Sequence, residues 1–198
     1  MNLNQEREYN TLEYYRQFPE EILTKGGVYY WVYWPFRDND IEYIHINKFK
    51  ENINKFSRTN INLPEYAKTG YKFSVEVQEI RFGEKPFFGL NDRKKDDLII
   101  YLEQSEANRK QFLIFLKKIA FNRPFYIGKA DNLRTRLVKH FNSQSSDILK
   151  YLSEYEIQDK DVLIGYEIAD SNDDLKINVI LEEIAQRLVK PGLTKRPG

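Results

Sequence analysis

The 198-residue sequence contains no cysteine and only two histidines, His45 and His140. The absence of cysteine excludes disulfides, thiolate zinc sites, iron–sulfur clusters and cysteine nucleophiles. Two histidines are too few for a histidine-rich metal site, so a bound metal would be a hard cation held by oxygen ligands. No hydrophobic run approaches the roughly 18 apolar residues of a membrane span, and the polar N-terminus differs from a secretory signal. We therefore expect a soluble, cytoplasmic protein without membrane contacts.

The chain also lacks a large net charge of either sign, since 31 basic and 30 acidic residues leave a formal charge of only +1. This total gives no sign of a histone-like nucleic-acid binder, but the charges are unevenly distributed. Residues 109–140 contain nine basic residues and one acid, Asp131, whereas residues 151–198 contain six basic and ten acidic residues. A basic run is usually a solvated helix face. It suggests function only where chemically active residues lie within it.

Length and composition predict one domain with a buried core, because 41% of the residues are hydrophobic and 15% aromatic. Alternating and apolar runs predict strands at 28–34, 41–46, 71–82, 124–129 and 162–169. Helical spacing predicts helices at 5–18, 47–56, 105–122 and 146–154, a helix capped by Asp131, and a last helix capped by Asp173 or Asp174. Residues 83–97 are expected to form a loop.

Three of these helices have a predicted core face. The helix that begins at Ser105 is expected to bury Phe112, Phe115, Leu116 and Ile119. The helix capped by Asp131 is expected to bury Leu133, Leu137 and Phe141. The last helix is expected to bury Ile177, Leu181, Ile184 and Leu188.

The segment from Phe125 to Phe141 combines residues that suit the binding of a phosphodiester. A strand ends in Tyr126-Ile127-Gly128, and a capped helix begins after a short turn. Arg136 and His140 are four residues apart and share one face of that helix, while Lys129 lies at the end of the strand. We expect these side chains to meet beside the helix N-terminus. Together they supply charge neutralisation, bidentate contacts to oxygen and a proton carrier.

Three separated motifs follow one another along the chain. Gly27-Val28-Tyr29 comes first, and then Tyr126-Ile127-Gly128, with Arg136 and His140 ten and fourteen residues after Tyr126. The third is Leu181-Glu182-Glu183-Ile184, with Pro191 nine residues after Glu182. In these features the sequence resembles the GIY-YIG nuclease family, and most closely its stand-alone type II restriction endonucleases.

The connection between the first two motifs departs from the family pattern. The family joins them by a tight hairpin, whereas Tyr29 and Tyr126 are 97 positions apart (126 − 29). Residues 35–122 are then an α/β insertion between adjacent strands of a single domain, 1–198, which is allowed because long loops cost little additional entropy. Tyr43-Ile44-His45 has the hairpin spacing but no arginine ten residues later, so Tyr126 is the preferred match.

The resemblance implies a fold and an activity. The fold is α+β, with a small, mostly antiparallel central sheet flanked by helices. The activity is metal-dependent hydrolysis of DNA, with double-stranded DNA as partner and a homodimer expected on it for double-strand cleavage. Two alternatives stay open: a structure-specific or repair-type nickase, and a catalytically inactive nucleic-acid-binding module.

The resemblance also implies a ligand set for metal and phosphate. Glu182 would hold a single Mg²⁺, with Mn²⁺ as a substitute, and the adjacent Glu183 is the alternative ligand. Arg136 would clamp the scissile phosphate. Further candidate contacts to nucleic acid are Arg123, Arg134, Lys139 and Thr194. Thr194 stands where the family carries an asparagine.

The remaining catalytic roles concern the attacking water. Either Tyr29 or Tyr126 would position or deprotonate it. A free tyrosine has a pKa near 10, so this role requires a cationic neighbour such as Lys129 to lower it. His140 would share the proton transfer or bind phosphate.

Overall fold

The computed structural model describes residues 9–61, 90–143, 146–169 and 177–189. Within these ranges the protein is α+β, with one four-stranded antiparallel sheet and seven α-helices. The chain divides into two compact units. The sheet unit contains the described residues up to Tyr33 and from Arg123 onward, and the insert unit contains those from Trp34 to Asn122.

The strands and helices have the following bounds. The strands are β1 (Tyr9–Thr11), β2 (Gly27–Tyr33), β3 (Tyr126–Ala130) and β4 (Val162–Ile168). The helices are α1 (Leu12–Gln17), α2 (Ile46–Ile61), α3 (Asp92–Gln104), α4 (Glu106–Phe121), α5 (Leu133–Asn142), α6 (Asp147–Glu154) and α7 (Ile177–Val189). No helix among the described residues is both long and apolar enough to cross a membrane.

The sheet is ordered β1-β4-β2-β3, and every neighbouring pair is antiparallel. All seven residues of β2 are buried, since the strand lies between two neighbours. Its aromatic and β-branched residues are the types that favour such a strand. The predicted antiparallel sheet of residues 28–34, 124–129 and 162–169 is confirmed. The helix predicted over 5–18 is wrong at residues 9–11, which form β1. Thr11 then caps α1 by accepting a hydrogen bond from the Tyr14 backbone N–H.

Helix α5 packs against β2 and β3 in the sheet unit. Its predicted core face is confirmed, since Leu133, Leu137 and Phe141 are buried. Asp131 was the wrong cap: Asn132 accepts from the Thr135 backbone N–H at 3.0 Å.

The insert unit differs most from expectation. The predicted strand over 41–46 is wrong, because this segment forms 3-10 turns at Asp38–Ile41 and Tyr43–His45 and then enters α2. The predicted loop over 83–97 is wrong from Asp92, where α3 begins with Asn91 as its cap. Helix α4 is confirmed with Ser105 as its cap. The strand predicted over 71–82 lies outside the described residues.

The rotation of α4 also differs from expectation, because Phe115 and Ile119 are 57% and 41% exposed. Its buried face includes Arg109, which is only 1% exposed. The Arg109 guanidinium donates to the carbonyl oxygens of Ile41 at 2.5 Å and Leu102 at 2.7 Å. These two bonds tie α4 to the 3-10 turn and to α3, and they fix which face of the helix turns inward.

Arg109 provides a test of the insert unit. Arg109→Met keeps an apolar stem but leaves both carbonyls without their donor, so we expect the free energy of unfolding to fall by about 2–4 kcal/mol. Lys118→Ala, at an exposed position on the same helix, is the matched control and should change it by less than about 0.5 kcal/mol. Chemical denaturation of the full chain measures both. Equal stabilities for the two variants would contradict this role.

Candidate functional site

Tyr29 lies at the centre of the site, in the middle of β2. It pairs with Gly128 of β3 on one side and Tyr166 of β4 on the other, and its side chain is fully buried. The ring lies directly over Gly128: a Cβ at that position would be 2.6 Å from Tyr29 Cζ and 2.9 Å from Tyr126 Cε1. Only glycine leaves room for both rings, which explains the third residue of the Tyr-Ile-Gly motif.

Helix α5 supplies two polar partners to the Tyr29 hydroxyl. The hydroxyl lies 2.8 Å from His140 Nε2, and Arg136 Nε donates to it at 3.4 Å. Arg136 and His140 reach the same atom because residues four apart share a helix face. The buried residues Leu133, Leu137 and Phe141 hold that face against the sheet.

The aromatic rings around this contact enclose His140. Tyr29 and Tyr126 have ring centroids 6.0 Å apart, and each lies within 6 Å of the imidazole, at 5.9 and 5.8 Å. Trp31 adds an edge contact to the imidazole at 6.3 Å. Tyr126 is partly exposed, so it is the tyrosine of this pair that meets solvent. We refer to Tyr29, Tyr126, Arg136 and His140 as the tyrosine cluster.

The electrostatics of the cluster fix the protonation of its members. Burial, reinforced by Tyr126, raises the pKa of Tyr29 well above its ordinary value, and the Arg136 hydrogen bond offsets this only in part. Burial, together with the charges of Arg136 and Lys139, lowers the pKa of His140 to about 4. At neutral pH His140 is therefore neutral, and its Nε2 shares a 2.8 Å hydrogen bond with the Tyr29 hydroxyl.

One sequence-based expectation about this chemistry is not met at Tyr29. Lys129 was expected to lower the pKa of an activating tyrosine, but the pKa of Tyr29 is raised, and the cation hydrogen-bonded to its hydroxyl is Arg136. The hydrogen bond to Tyr29 is the main cause of a raised pKa for Arg136. Arg136 thus stays charged, and its exposed position leaves the guanidinium accessible to a ligand.

Lys129 instead pairs with Glu182. Its Nζ lies 3.3 Å from Glu182 Oε2, and the Glu182 side chain is 16% exposed. Side chains alternate between the two faces of a strand. The Tyr126 side chain lies on the face towards α5, as a side chain at Gly128 would. The Lys129 side chain projects from the other face, towards α7. The tyrosine cluster and this ion pair therefore lie on opposite faces of the sheet at β3, which is one of its two edge strands.

Helix α7 approaches β3 through polar side chains spaced four residues apart. Asn178 Nδ2 donates to Ala130 O at 3.3 Å and to Asp131 Oδ1 at 3.0 Å, and Gln186 Nε2 donates to Ile127 O at 3.4 Å. Glu182 lies between them on the same face. These two amides bond with two main-chain carbonyls of β3 and so tie α7 to this strand.

The predicted core face of α7 is therefore wrong at the residues whose side chains are described. Leu181 and Ile184 are 41% and 48% exposed, whereas Asn178 is 2% exposed. The apolar spacing of the helix concealed its polar face towards β3, and sequence reasoning missed Asn178 and Gln186. The signal was present as the four-residue repeat of polar side chains at 178, 182 and 186. The predicted caps Asp173 and Asp174 lie outside the described residues.

The oxygen atoms around Glu182 are few but suit a divalent cation. The described residues hold no group of three or more histidine, aspartate and glutamate side chains. Glu182 offers one partly buried carboxylate, and one turn later Gln186 Oε1 is buried without a hydrogen-bond partner. A single carboxylate with a neutral oxygen nearby fits Mg²⁺, which retains most of its waters.

The other candidate residues differ in their surroundings. Arg134 donates to the carbonyl oxygens of Ile22 at 2.8 Å and Glu20 at 2.5 Å, so its guanidinium binds the segment before β2. Arg123 and Lys139 are exposed. Thr194 lies outside the described residues.

The pKa of His140 can be measured by NMR titration. We expect about 4 in the wild-type protein. Arg136→Gln should raise this pKa, because a neighbouring positive charge is removed, but not to the ordinary 6.5, because burial is the larger cause. His45 serves as an internal reference signal. An unchanged His140 pKa in the variant would contradict the contact with Arg136.

The same titration predicts how stability depends on pH. The folded-state pKa of His140 lies below the unfolded value, so its contribution to the free energy of unfolding is fully present above about pH 6.5. The contribution is lost as pH falls towards about 4, where the folded protein takes up the proton. We expect His140→Asn to show a shallower loss of stability over this window in denaturation experiments. An identical pH profile for both proteins would contradict the titration.

Comparison of the chain with protein-family models, curated proteins and solved structures finds no match. Its function must therefore be inferred from the tyrosine cluster, the Lys129–Glu182 pair and the polar face of α7.

Proposed function

We propose that the protein is a metal-dependent DNA endonuclease of the GIY-YIG type. The observation that carries the proposal is the chain of hydrogen bonds from Arg136 through the Tyr29 hydroxyl to His140. It joins a buried strand residue to a helix more than 100 positions later, with Gly128 as the one residue that leaves room for the ring. A merely structural tyrosine needs one hydrogen-bond partner, whereas this one orients a cation and a neutral base together.

Arg136 is the group that binds the scissile phosphate. Its Nε is held by Tyr29, which orients the planar guanidinium, and its exposed position leaves the terminal nitrogens for a phosphate. A guanidinium matches the geometry of two phosphate oxygens and stays charged throughout the reaction. Such a preorganised cation stabilises the negative charge that develops during phosphodiester hydrolysis.

Tyr126 and His140 divide the handling of the attacking water. Tyr126 is the partly exposed member of the tyrosine pair, so it orients the water. Tyr29 is buried and holds its proton, which makes it a positioning group. His140 is neutral at neutral pH and lies 2.8 Å from the Tyr29 hydroxyl, so it can take up a proton within the cluster.

Glu182 and Gln186 would hold the Mg²⁺, or Mn²⁺ in its place. The cation would supply electrostatic stabilisation of the leaving oxygen. Lys129 holds the Glu182 carboxylate in position through their ion pair. Because β3 is the edge strand, a DNA strand that passes along this edge reaches the groups on both of its faces.

The activity is tested on supercoiled plasmid with Mg²⁺, with Mn²⁺, and with EDTA as the blank. Discrete linear fragments support a restriction-type enzyme that acts as a dimer on two strands. Conversion to the nicked circle alone supports the nickase instead. No cleavage with either metal would refute the nuclease proposal and favour an inactive nucleic-acid-binding module.

The metal ligand is tested with two adjacent carboxylates. Glu182→Gln should lower the cleavage rate by about 100-fold or more, because it removes the one charged ligand of the metal. Glu183→Gln makes the same chemical change one residue later and should remain within about threefold of wild type. Mn²⁺ binding, followed by water-proton relaxation, should weaken only in the Glu182 variant. The reverse pattern would identify Glu183 as the ligand.

A further inference from the structure

The insert unit contains a groove with a mixed apolar and basic lining. It has a volume of about 310 Å³ and is lined by Trp34, Phe36, Arg37, Asp38, Ile41, Lys110, Leu113, Ile114 and Lys117. One wall is helix α4, and the other is the segment 34–41. Three of the lining residues are basic and one is acidic, so the groove has a positive charge even though the whole chain is near neutral.

The α4 wall is built by helical spacing. Lys110, Leu113, Ile114 and Lys117 share one face, with a lysine at each end and two aliphatic side chains between them. Lys110 and Ile114 are exposed. Helix α4 as a whole carries four basic residues against one acid, Glu106. The helix thus presents an apolar strip bounded by cations about two turns apart.

The opposite wall is held firmly in place. Asp40 is buried and accepts hydrogen bonds from the Arg37 backbone N–H at 2.7 Å and from Asn52 Nδ2 at 3.1 Å. Arg109 binds the Ile41 carbonyl oxygen from within α4.

Trp34 and Phe36 are packed with a centroid distance of 4.8 Å, and the Lys117 Nζ lies 6.0 Å from the Trp34 ring centroid. The groove is preformed, and Lys117 is positioned over an aromatic surface.

This lining matches the chemistry of a nucleic-acid strand. Phosphates require separated cations, and the sugars between them can lie on apolar side chains. The groove is open, and its volume is at the lower end of the range for small-molecule pockets, roughly 300–1,000 Å³. An open groove of this size suits a short stretch of an extended polyanion better than a fully enclosed ligand.

We propose that this groove binds the sugar–phosphate backbone of DNA, with Lys110 and Lys117 as phosphate contacts. The proposal rests on the nuclease function proposed above and assigns a second DNA-binding surface that lies within the insert unit. Contacts of this kind carry affinity without reading sequence. None of the residues proposed as catalytic in the sheet unit lines the groove.

The test compares two lysine pairs with the same spacing. Lys110→Gln/Lys117→Gln removes the groove cations, and Lys48→Gln/Lys55→Gln removes two exposed lysines of α2, also seven residues apart in the insert unit. Binding of a labelled DNA duplex in EDTA is followed by fluorescence anisotropy over a range of salt concentrations. Far-UV circular dichroism and thermal unfolding verify that both variants are folded.

We expect the groove variant to lower the salt dependence of log K by about 2, since each phosphate contact contributes roughly 0.9. At 0.1 M salt this corresponds to about 60-fold weaker binding. The α2 variant should stay within about twofold of wild type in binding and in cleavage. If both pairs behave alike while the wild type binds and cuts DNA, the groove assignment is wrong and the nuclease proposal stands.

Two further outcomes separate the remaining possibilities. A wild-type protein that neither binds nor cuts DNA refutes the proposed function, and the groove assignment falls with it. A mononucleotide that displaces the duplex at micromolar concentration would identify a small-ligand pocket and overturn the assignment to a DNA backbone.

Discussion

The hydrogen bonds at the Tyr29 hydroxyl are the contact on which the site depends. One buried hydroxyl accepts a hydrogen bond from Arg136 and shares a second with His140. An unpaired buried hydroxyl would cost free energy, so both partners stabilise the fold as well as orient the cluster. The cost of burying Tyr29 is thus offset by the same two side chains that the proposed chemistry requires.

Glycine determines whether this arrangement can form. The ring of Tyr29 crosses the neighbouring strand at Gly128, where any side chain would overlap it. A small residue at the position opposite the tyrosine is therefore a packing requirement. The tripeptide motif and the buried tyrosine are two parts of a single steric constraint.

Much of the sheet unit was predictable from the sequence. Strands β2, β3 and β4 and the core face of α5 follow from apolar and aromatic patterns, and these patterns act locally. The spacing of Arg136 and His140 also predicted that they share one helix face. Their common contact with Tyr29 was not predictable from periodicity, because it depends on pairing between strands nearly 100 residues apart.

The errors have a physical explanation as well. In α4 and α7 the apolar stripe suggested a buried face, but buried polar groups set the rotation of each helix: Arg109 in α4 and Asn178 in α7. A main-chain carbonyl that is buried without a partner destabilises the fold. On a buried helix face, a hydrogen bond to such a carbonyl therefore stabilises the fold more than one additional aliphatic contact does. Sequence periodicity does not contain this information.

The position of the insert unit has a consequence for how the chain folds. Strands β2 and β3 are direct partners, yet the residues from Trp34 to Asn122 lie between them in the sequence. Their pairing closes a long loop, and the entropy lost in closing it must be met before the tyrosine cluster exists. An insert unit that folds first shortens the effective loop and so lowers the entropy lost when β2 and β3 pair. Substitutions in the insert unit can thereby alter the yield of folded protein without changing the tyrosine cluster of each folded molecule.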